Sequence, residues 1–381
     1  MVEKYVKKKD GKYFVDWKEV ESNVYFTSLK GCQQNPKWHQ EGNAFVHTKM
    51  VVEEMLKKVN NMSSNEDEYD DKHKLILITA ALFHDIGKSV TTRWSKEKEA
   101  FESPYHAKEG EKLTRIILWN EDFRFREKVC SLVANHMKPL NIFEGDKKDE
   151  YRKKQIELLS WERCSIKDLL LLKECDNLGS IITVEDNWME KLQWIKDAAK
   201  KMGCYTSHKP FSSFKEKFDY FNGLDNSIPN KVRLYIMVGI PGSGKSTWVK
   251  ENLSEYQVIS REMIRQELGI TMKGIGNKQE EDKVSSIFNS RLMDAVKYNK
   301  AVVIDNTNLK QKFRSNYFSM LKNEYNPEII YVYSEAPLLE DNYKRRDGEI
   351  LKEVIFNMAK EFDFPRHTEY HQMIINKQTG I

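Results

Sequence analysis

The chain reads as two folds in series: an all-α helical bundle over residues 1–205, a partly helical connection over 206–230, and an α/β P-loop domain with a parallel sheet over 231–381. Three observations predict this. Apolar residues recur at helical spacing through the first half, and nothing there alternates convincingly as a strand. From 232 onward, β-branched and aromatic runs at 232–238, 256–260, 301–305 and 329–333 alternate with helical stretches at 245–253, 261–268, 278–299, 310–323 and 337–345. That alternation is the pattern of parallel strands joined by crossover helices. Between the first strand and its helix lies Gly239-Ile-Pro241-Gly242-Ser243-Gly244-Lys245-Ser246-Thr247, which fits G-x-x-x-x-G-K-[ST] at every required position.

A length of 381 residues suits two domains at about 150 residues each. The net charge of +4 is small against 62 basic and 58 acidic residues, so bulk electrostatics makes no case for nucleic acid and any basic surface must be local. Five scattered cysteines without a C-x-x-C pair fit reduced thiols, not a disulfide frame or a zinc site. No apolar run approaches the roughly 18 residues of a membrane span, and the charged start lacks a signal-peptide core. These features point to the cytoplasm and to no membrane partner.

Residues 1–38 are polar and aromatic and predict a loop-rich opening with one short helix. Helices follow at 43–59, at about 72–86, and at 106–119, 122–136, 151–161, 165–180 and 185–201, with Gly87 as a natural stop for the second. His47, the doublet His84-Asp85, and Asp176 fall on three of them, in otherwise apolar stretches. Buried ionisable groups are costly unless paired or coordinated, so imidazoles and carboxylates inside a bundle suit a divalent metal. His106 and His136 begin and end two further helices and suit a second metal or a substrate phosphate. Such a centre would act by acidifying bound water and offsetting charge on an attacked phosphorus.

His47, His84-Asp85 and Asp176 in this order, with the block Phe83-His-Asp-Ile-Gly-Lys88, resemble the HD-domain phosphohydrolase superfamily and its H…HD…D signature. Trp38-His-Gln-Glu-Gly42, Phe45-Val-His47-Thr, Ser103-Pro-Tyr-His106 and Asn135-His136 extend the resemblance over about 30–180. It implies metal ligands at His47, His84, Asp85 and Asp176, with His106 and His136 as outer or second-metal residues. It also implies Lys88 as a phosphate-facing cation, with His39 and Glu41 as further candidates.

In the second half, the glycines of the loop let backbone N–H groups curl around phosphate, with the positive end of the following helix behind them. Gly239, Pro241, Gly242, Ser243, Gly244 and Thr247 would form this cradle. Lys245 would neutralise the β and γ phosphates, and Ser246 would face Mg²⁺. The second strand runs into Ser260-Arg261-Glu262-Met-Ile-Arg265, where a carboxylate can take a proton from an attacking hydroxyl and a guanidinium one turn on can hold an acceptor phosphate. Asp305 ends the third strand where it can hold Mg²⁺, Asn306, Thr307 and Asn308 can line an acceptor pocket, and Arg345 with Arg346 suits a lid.

These residues resemble the 5′-hydroxyl polynucleotide kinase family over nearly all of 232–362. The resemblance rests on the loop through Trp248, the spacing of Arg261 and Arg265, the block Thr307-Asn-Leu309 and the Asn342-x-x-Arg345 motif. Its usual base is an aspartate, whereas this chain has Glu262. An HD domain followed by this kinase resembles the HD-domain polynucleotide kinases. That likeness implies a bifunctional enzyme acting on RNA or DNA ends: a 5′-kinase using Mg²⁺ with ATP or another NTP, and a 2′,3′-end phosphatase using a divalent Mn, Ni, Co, Zn or Cu. A signalling-nucleotide phosphodiesterase with an NTP-binding regulatory or small-molecule kinase domain fits the same motifs, and so does an ATP-gated RNA-binding module without turnover.

Overall fold

The computed structural model describes residues 2–62, 69–183, 186–270, 277–335 and 352–377. The chain divides into two compact units, Met1–Pro210 and Phe211–Ile381.

The first unit is built on helices Ala44–Asn61, Asp71–Phe83, His106–Ile117, Phe123–Asn135, Asp149–Ser160, Ile166–Leu178 and Trp188–Lys201. Several begin at side-chain caps: Asn43 accepts from the N–H groups of Phe45 and Val46, Asp70 from His73, Asp122 from Phe125 and Ser165 from Asp168. Each cap satisfies a donor the first turn leaves orphaned, at about 1 kcal/mol. Every residue from Ile76 to Phe83 is buried, so the last two turns of the Asp71–Phe83 helix are enclosed on all sides within the core of the unit. Val51, Val52 and Met55 of the first helix join the same core.

Two short hairpins depart from the strandless first half that the sequence predicts. Strands β1 (Val6–Lys9) and β2 (Lys12–Val15) pair antiparallel about Asp10 and Gly11, both at positive φ. An Asp-Gly pair at positive φ is the two-residue turn whose twist matches a hairpin. Strands β3 (Arg93–Ser95) and β4 (Ala100–Glu102) form the second. The helix stop placed at Gly87 is also corrected. Gly87 has φ −66, and the chain continues into a short helix at Lys88–Thr91. The position instead requires a close approach: a Cβ there would lie 2.0 Å from the His106 carbonyl oxygen and 2.5 Å from the Gly110 nitrogen.

The second unit carries a fully parallel sheet of order β6-β7-β5-β8-β9, with β5 Arg233–Val238, β6 Gln257–Ile259, β7 Ala301–Ile304, β8 Glu328–Glu335 and β9 Gln372–Lys377. Strand β9, at the sheet edge, is one that the sequence pattern does not announce. In register, Ile236 pairs with Ile304 and Ile304 with Ile259, so β5, β7 and β6 end side by side. Helix Phe214–Asn222 lies where the sequence predicts a connection. Phe218 stacks on His371 with centroids 4.0 Å apart, and Lys217 donates to the carbonyls of Tyr370 and His371, both at 3.1 Å. Burial lowers the Lys217 pKa to about 8. The helix expected at 337–345, with Arg345 and Arg346, lies outside the described residues.

Candidate metal centre and phosphate-binding loop

His84 and His136 each close a helix, and His106 opens one. That placement turns the Nδ1 of each toward a carbonyl three residues back, Ala81, Val133 and Ser103 respectively, all at 2.8 Å. A carbonyl only accepts, so Nδ1 carries the hydrogen and Nε2 of the neutral ring is left with its lone pair. His47, on the first helix, directs Nδ1 to the Gly179 carbonyl at 3.2 Å and to Glu41 Oε1 at 3.0 Å. All four rings thus spend Nδ1 on the fold.

The four Nε2 atoms meet in two pairs, His47 with His84 at 3.3 Å and His106 with His136 at 3.3 Å. Asp85 faces both. Its Oδ2 lies 3.4 Å from His84 Nε2 and 3.6 Å from His47 Nε2, and its Oδ1 lies 3.4 Å and 3.8 Å from His106 and His136. Asp176 Oδ1 lies 3.0 Å from His47 Nε2 and 3.6 Å from His84 Nε2, while its Oδ2 pairs with Lys173 at 2.7 Å. Two groups have ligand atoms close enough to hold a cation: His47, His84 and Asp176, and Asp85, His106 and His136. His39, Glu41 and His47 make a third.

The electrostatics of the two pairs differ. Burial opposes charge on His47, but hydrogen bonds to Asp176 and Glu41 outweigh it and raise the pKa to about 9, so a proton can sit between His47 and its neighbours. Burial pushes His106 down and His136 to about 3, the latter reinforced by the neighbouring His106 and His84. Burial thus favours the neutral form of both rings in the second pair, and their facing Nε2 atoms suit a shared cation. Burial also opposes charge on Asp85 and Asp176, yet Lys88 and His84 hold Asp85 ionised, and Lys173 and His47 hold Asp176 ionised, each well below the usual range. Asp85 Oδ2 is buried without a well-formed hydrogen bond, although Lys88 Nζ lies 2.6 Å away. Converging imidazole Nε2 atoms beside ionised carboxylates fit a divalent transition metal, which would take the place of the proton on His47.

The fold thus brings together His47, His84, Asp85, His106, His136 and Asp176 from five separate helices or helix ends. Lys88 is turned inward between Asp85 and Gln34 Oε1, at 2.6 Å from each. Glu41 is more deeply engaged than its loop position suggests. One oxygen meets His39 Nδ1 at 2.7 Å and His47 Nδ1 at 3.0 Å, and the other accepts from the Ile181 N–H at 2.9 Å. Sequence reasoning missed Lys173 and Gln34; the spacing of Lys173 to Asp176, three residues on one helix face, was the only signal for the former.

In the second unit, β5 ends in a loop where Gly239, Gly242 and Gly244 have φ of 155, 77 and 77. The first tolerates no side chain, since a Cβ would lie 2.7 Å from both Ser243 Oγ and the Ser334 carbonyl oxygen. Pro241 and Ser243 are buried and shape the loop, while Ser246 and Thr247 are exposed at the start of helix Lys245–Asn252. Lys245 folds over the loop, donating to the Ile240 carbonyl at 2.8 Å and to Ser243 Oγ at 3.3 Å.

Beside this loop, β6 runs into helix Arg261–Glu267, capped by Ser260. Glu262 is exposed in its first turn. Asp305 follows β7 directly, its N–H donating to the Ile259 carbonyl at 3.0 Å. Asn306 accepts from the Arg261 N–H at 2.9 Å, and its amide nitrogen is buried without a partner. The Thr307 carbonyl accepts from the Gly239 N–H at 3.0 Å, so strand end and phosphate loop are tied. Asn308 does not line a pocket as expected. Buried at φ 47, it spends its amide on the Met237 carbonyl at 2.7 Å and its oxygen on the Tyr317 hydroxyl at 3.0 Å. Arg265 makes two bonds to Glu281, both 2.8 Å, and Arg261 donates to Ser285 at 2.9 Å.

Residues 45–180 match the HD domain family model, and residues 234–365 match the model described as an AAA domain. The chain is therefore an enzyme-type assembly of an N-terminal HD domain and a C-terminal P-loop, kinase-like domain. Over 203 residues, 49% of its length, it is 26% identical to a protein of Autographa californica nuclear polyhedrosis virus provisionally named bifunctional polynucleotide kinase/RNA ligase. The match covers 28% of that relative's length. Among the described residues no helix is long and apolar enough to cross a membrane.

Proposed function

We propose that the chain heals both ends of a broken polynucleotide. The first unit removes a 2′,3′-cyclic, 2′- or 3′-phosphate, and the second transfers the γ-phosphoryl of ATP or another NTP to a 5′-hydroxyl. The observation that carries this reading is that one polypeptide holds four converging imidazole Nε2 atoms with two ionised carboxylates, and separately a complete phosphate cradle. The viral relative's name, which joins polynucleotide kinase to an end-joining activity, supports the choice of substrate.

In the first unit, His47, His84, Asp85 and Asp176 would hold one ion, and Asp85, His106 and His136 a second. A divalent transition metal bound there supplies Lewis-acid charge and a more acidic water. Gly179 and Glu41 orient His47, the helix-end carbonyls orient the other three rings, and Lys88 sets the charge on Asp85. In the second unit, loop N–H groups and Lys245 bind the β and γ phosphates, with Ser246 and Asp305 toward Mg²⁺. Glu262 takes the proton from the 5′-hydroxyl as its oxygen bonds to the γ-phosphorus and the bridging oxygen leaves on the nucleoside diphosphate. Arg261 offsets the charge that develops, joined by Arg345. Arg265 exchanges Glu281 for the acceptor phosphate, a bidentate partner of the same geometry.

An RNA bearing a 5′-hydroxyl and a 2′,3′-cyclic phosphate tests the reading with wild type, Lys245→Ala and Asp85→Ala. Each variant should lose one end reaction and keep the other. A wild-type protein that alters neither end, or a Lys245→Ala protein that still phosphorylates the 5′ end, contradicts it.

A further inference from the structure

The rings of the metal centre are largely buried, and two of the histidines grouped there are more open than the rest. Side chains of His47, His84 and His136 are at most 1% exposed, whereas His106 is 14% and His39 21% exposed. Each of these two is immediately preceded by an exposed aromatic residue: Tyr105, 81% exposed, and Trp38, 40% exposed. Tyr105 has φ 57, a left-handed backbone that a bulky non-glycine residue adopts only at a cost. It caps no helix donor through its side chain, so helix capping does not account for the strain. Such outliers concentrate where a site requires a residue to be aimed.

A second aromatic pair stands on the β3–β4 hairpin, which leads into His106 along the chain. Trp94 and Phe101 are cross-strand partners in the β3–β4 hairpin, edge to face with centroids 5.1 Å apart, and both are exposed. The hairpin is tied to the centre through a short chain of contacts. Thr92 and Ser103 share a hydroxyl bond of 2.9 Å, and the Ser103 carbonyl is the acceptor that orients His106. Lys98 and Arg93 of this hairpin both pair with Glu102. These aromatic faces carry some basic charge beside them, since Arg93 and Lys98 share one carboxylate and Lys37 Nζ lies 5.4 Å from the Trp38 ring centroid, a combination that suits a base stacked next to a phosphate.

We infer that Tyr105 and Trp38, supported by the Trp94–Phe101 pair, form a base-stacking surface at the mouth of the metal centre for the unpaired nucleotides next to the terminal phosphate. This rests on the end-healing reading and sharpens its substrate to single-stranded ends with at least one terminal base. Stacking on an aromatic side chain tolerates any base, because every base offers a π face.

The test compares KM and kcat for removal of a 3′-terminal phosphate from a short oligoribonucleotide and from the same strand with abasic sugars in its last two positions. Tyr105→Ala and Trp38→Ala should each raise KM for the intact strand by about 5- to 150-fold with kcat little changed. Neither should affect the abasic strand, and Tyr105→Phe should behave as wild type. Equal losses on both strands, a fall in kcat alone, or no change in KM overturns the inference. If wild type removes no strand's phosphate, the end-healing reading fails. Anisotropy of a fluorescein-labelled single strand then decides the stacking surface separately: weaker binding by the double alanine variant supports it, and unchanged binding overturns it.

Discussion

Under the proposed function the two candidate sites solve one problem, gripping phosphorus, with opposite materials. The P-loop does it with main chain from a single contiguous stretch, Gly239 to Thr247, where glycine conformation and a following helix supply the anion site. The metal centre does it with side chains gathered from five elements as far apart as His47 and Asp176. A main-chain site depends on local φ and ψ and tolerates its surroundings. A gathered site depends on the whole bundle: His47 is aimed by Glu41 and Gly179, and the other three rings, each held by a carbonyl three residues back, converge only when their helices pack together.

The sharpest test of that contrast is glycine replacement. Gly87→Ala should disrupt the first unit, since the added carbon would meet the backbone of His106 and Gly110 at 2.0 Å and 2.5 Å. A cost above about 3 kcal/mol and loss of phosphatase activity are expected, read by thermal unfolding and metal content. Gly242→Ala, at φ 77, should instead abolish NTP binding with little change in melting. Next in size, Lys245→Ala should cut 5′-kinase turnover at least about 100-fold while phosphatase turnover stays at wild type.

Glu41→Gln should act more gently. It retains an oxygen but loses the charge that helps hold His47, and about a 10- to 100-fold weaker metal affinity is expected by equilibrium titration, with unchanged kinase activity.

The smallest effect concerns acid. Burial disfavours the Glu127 carboxylate, but Arg115 and Arg126 overcome this and lower its pKa to about 2 from 4.5. A depressed carboxylate stabilises the fold above the unfolded value and loses that contribution as pH falls toward the folded one. The first unit should therefore lose stability between about pH 4.5 and 2 by a few kcal/mol at most, and Glu127→Gln should flatten that slope, as followed by circular dichroism.

Legibility in the sequence follows the same division. The contiguous loop could be read position by position, and so could the helices, because apolar spacing is a local property. The ligand set could be read from residue type and family likeness, but not its pairing, since nothing local says that His106 meets His136 across 30 residues of chain. The β1–β2 hairpin was legible in Asp10-Gly11 yet hidden among lysines that do not alternate as a strand should. Strand β9 was obscured because only partnership with β8 defines it. Asn308 was misplaced because its polar type suits a pocket as well as a clamp, and only the Met237 carbonyl and Tyr317 reveal the clamp.

The most direct measurement is anomalous scattering from crystals grown with Ni²⁺. A peak is expected at about 2.0–2.3 Å from the Nε2 atoms of His47 and His84, with Asp85 and Asp176 oxygens completing the shell. Coordination through any Nδ1 atom, or a peak elsewhere with none among these residues, would contradict that arrangement.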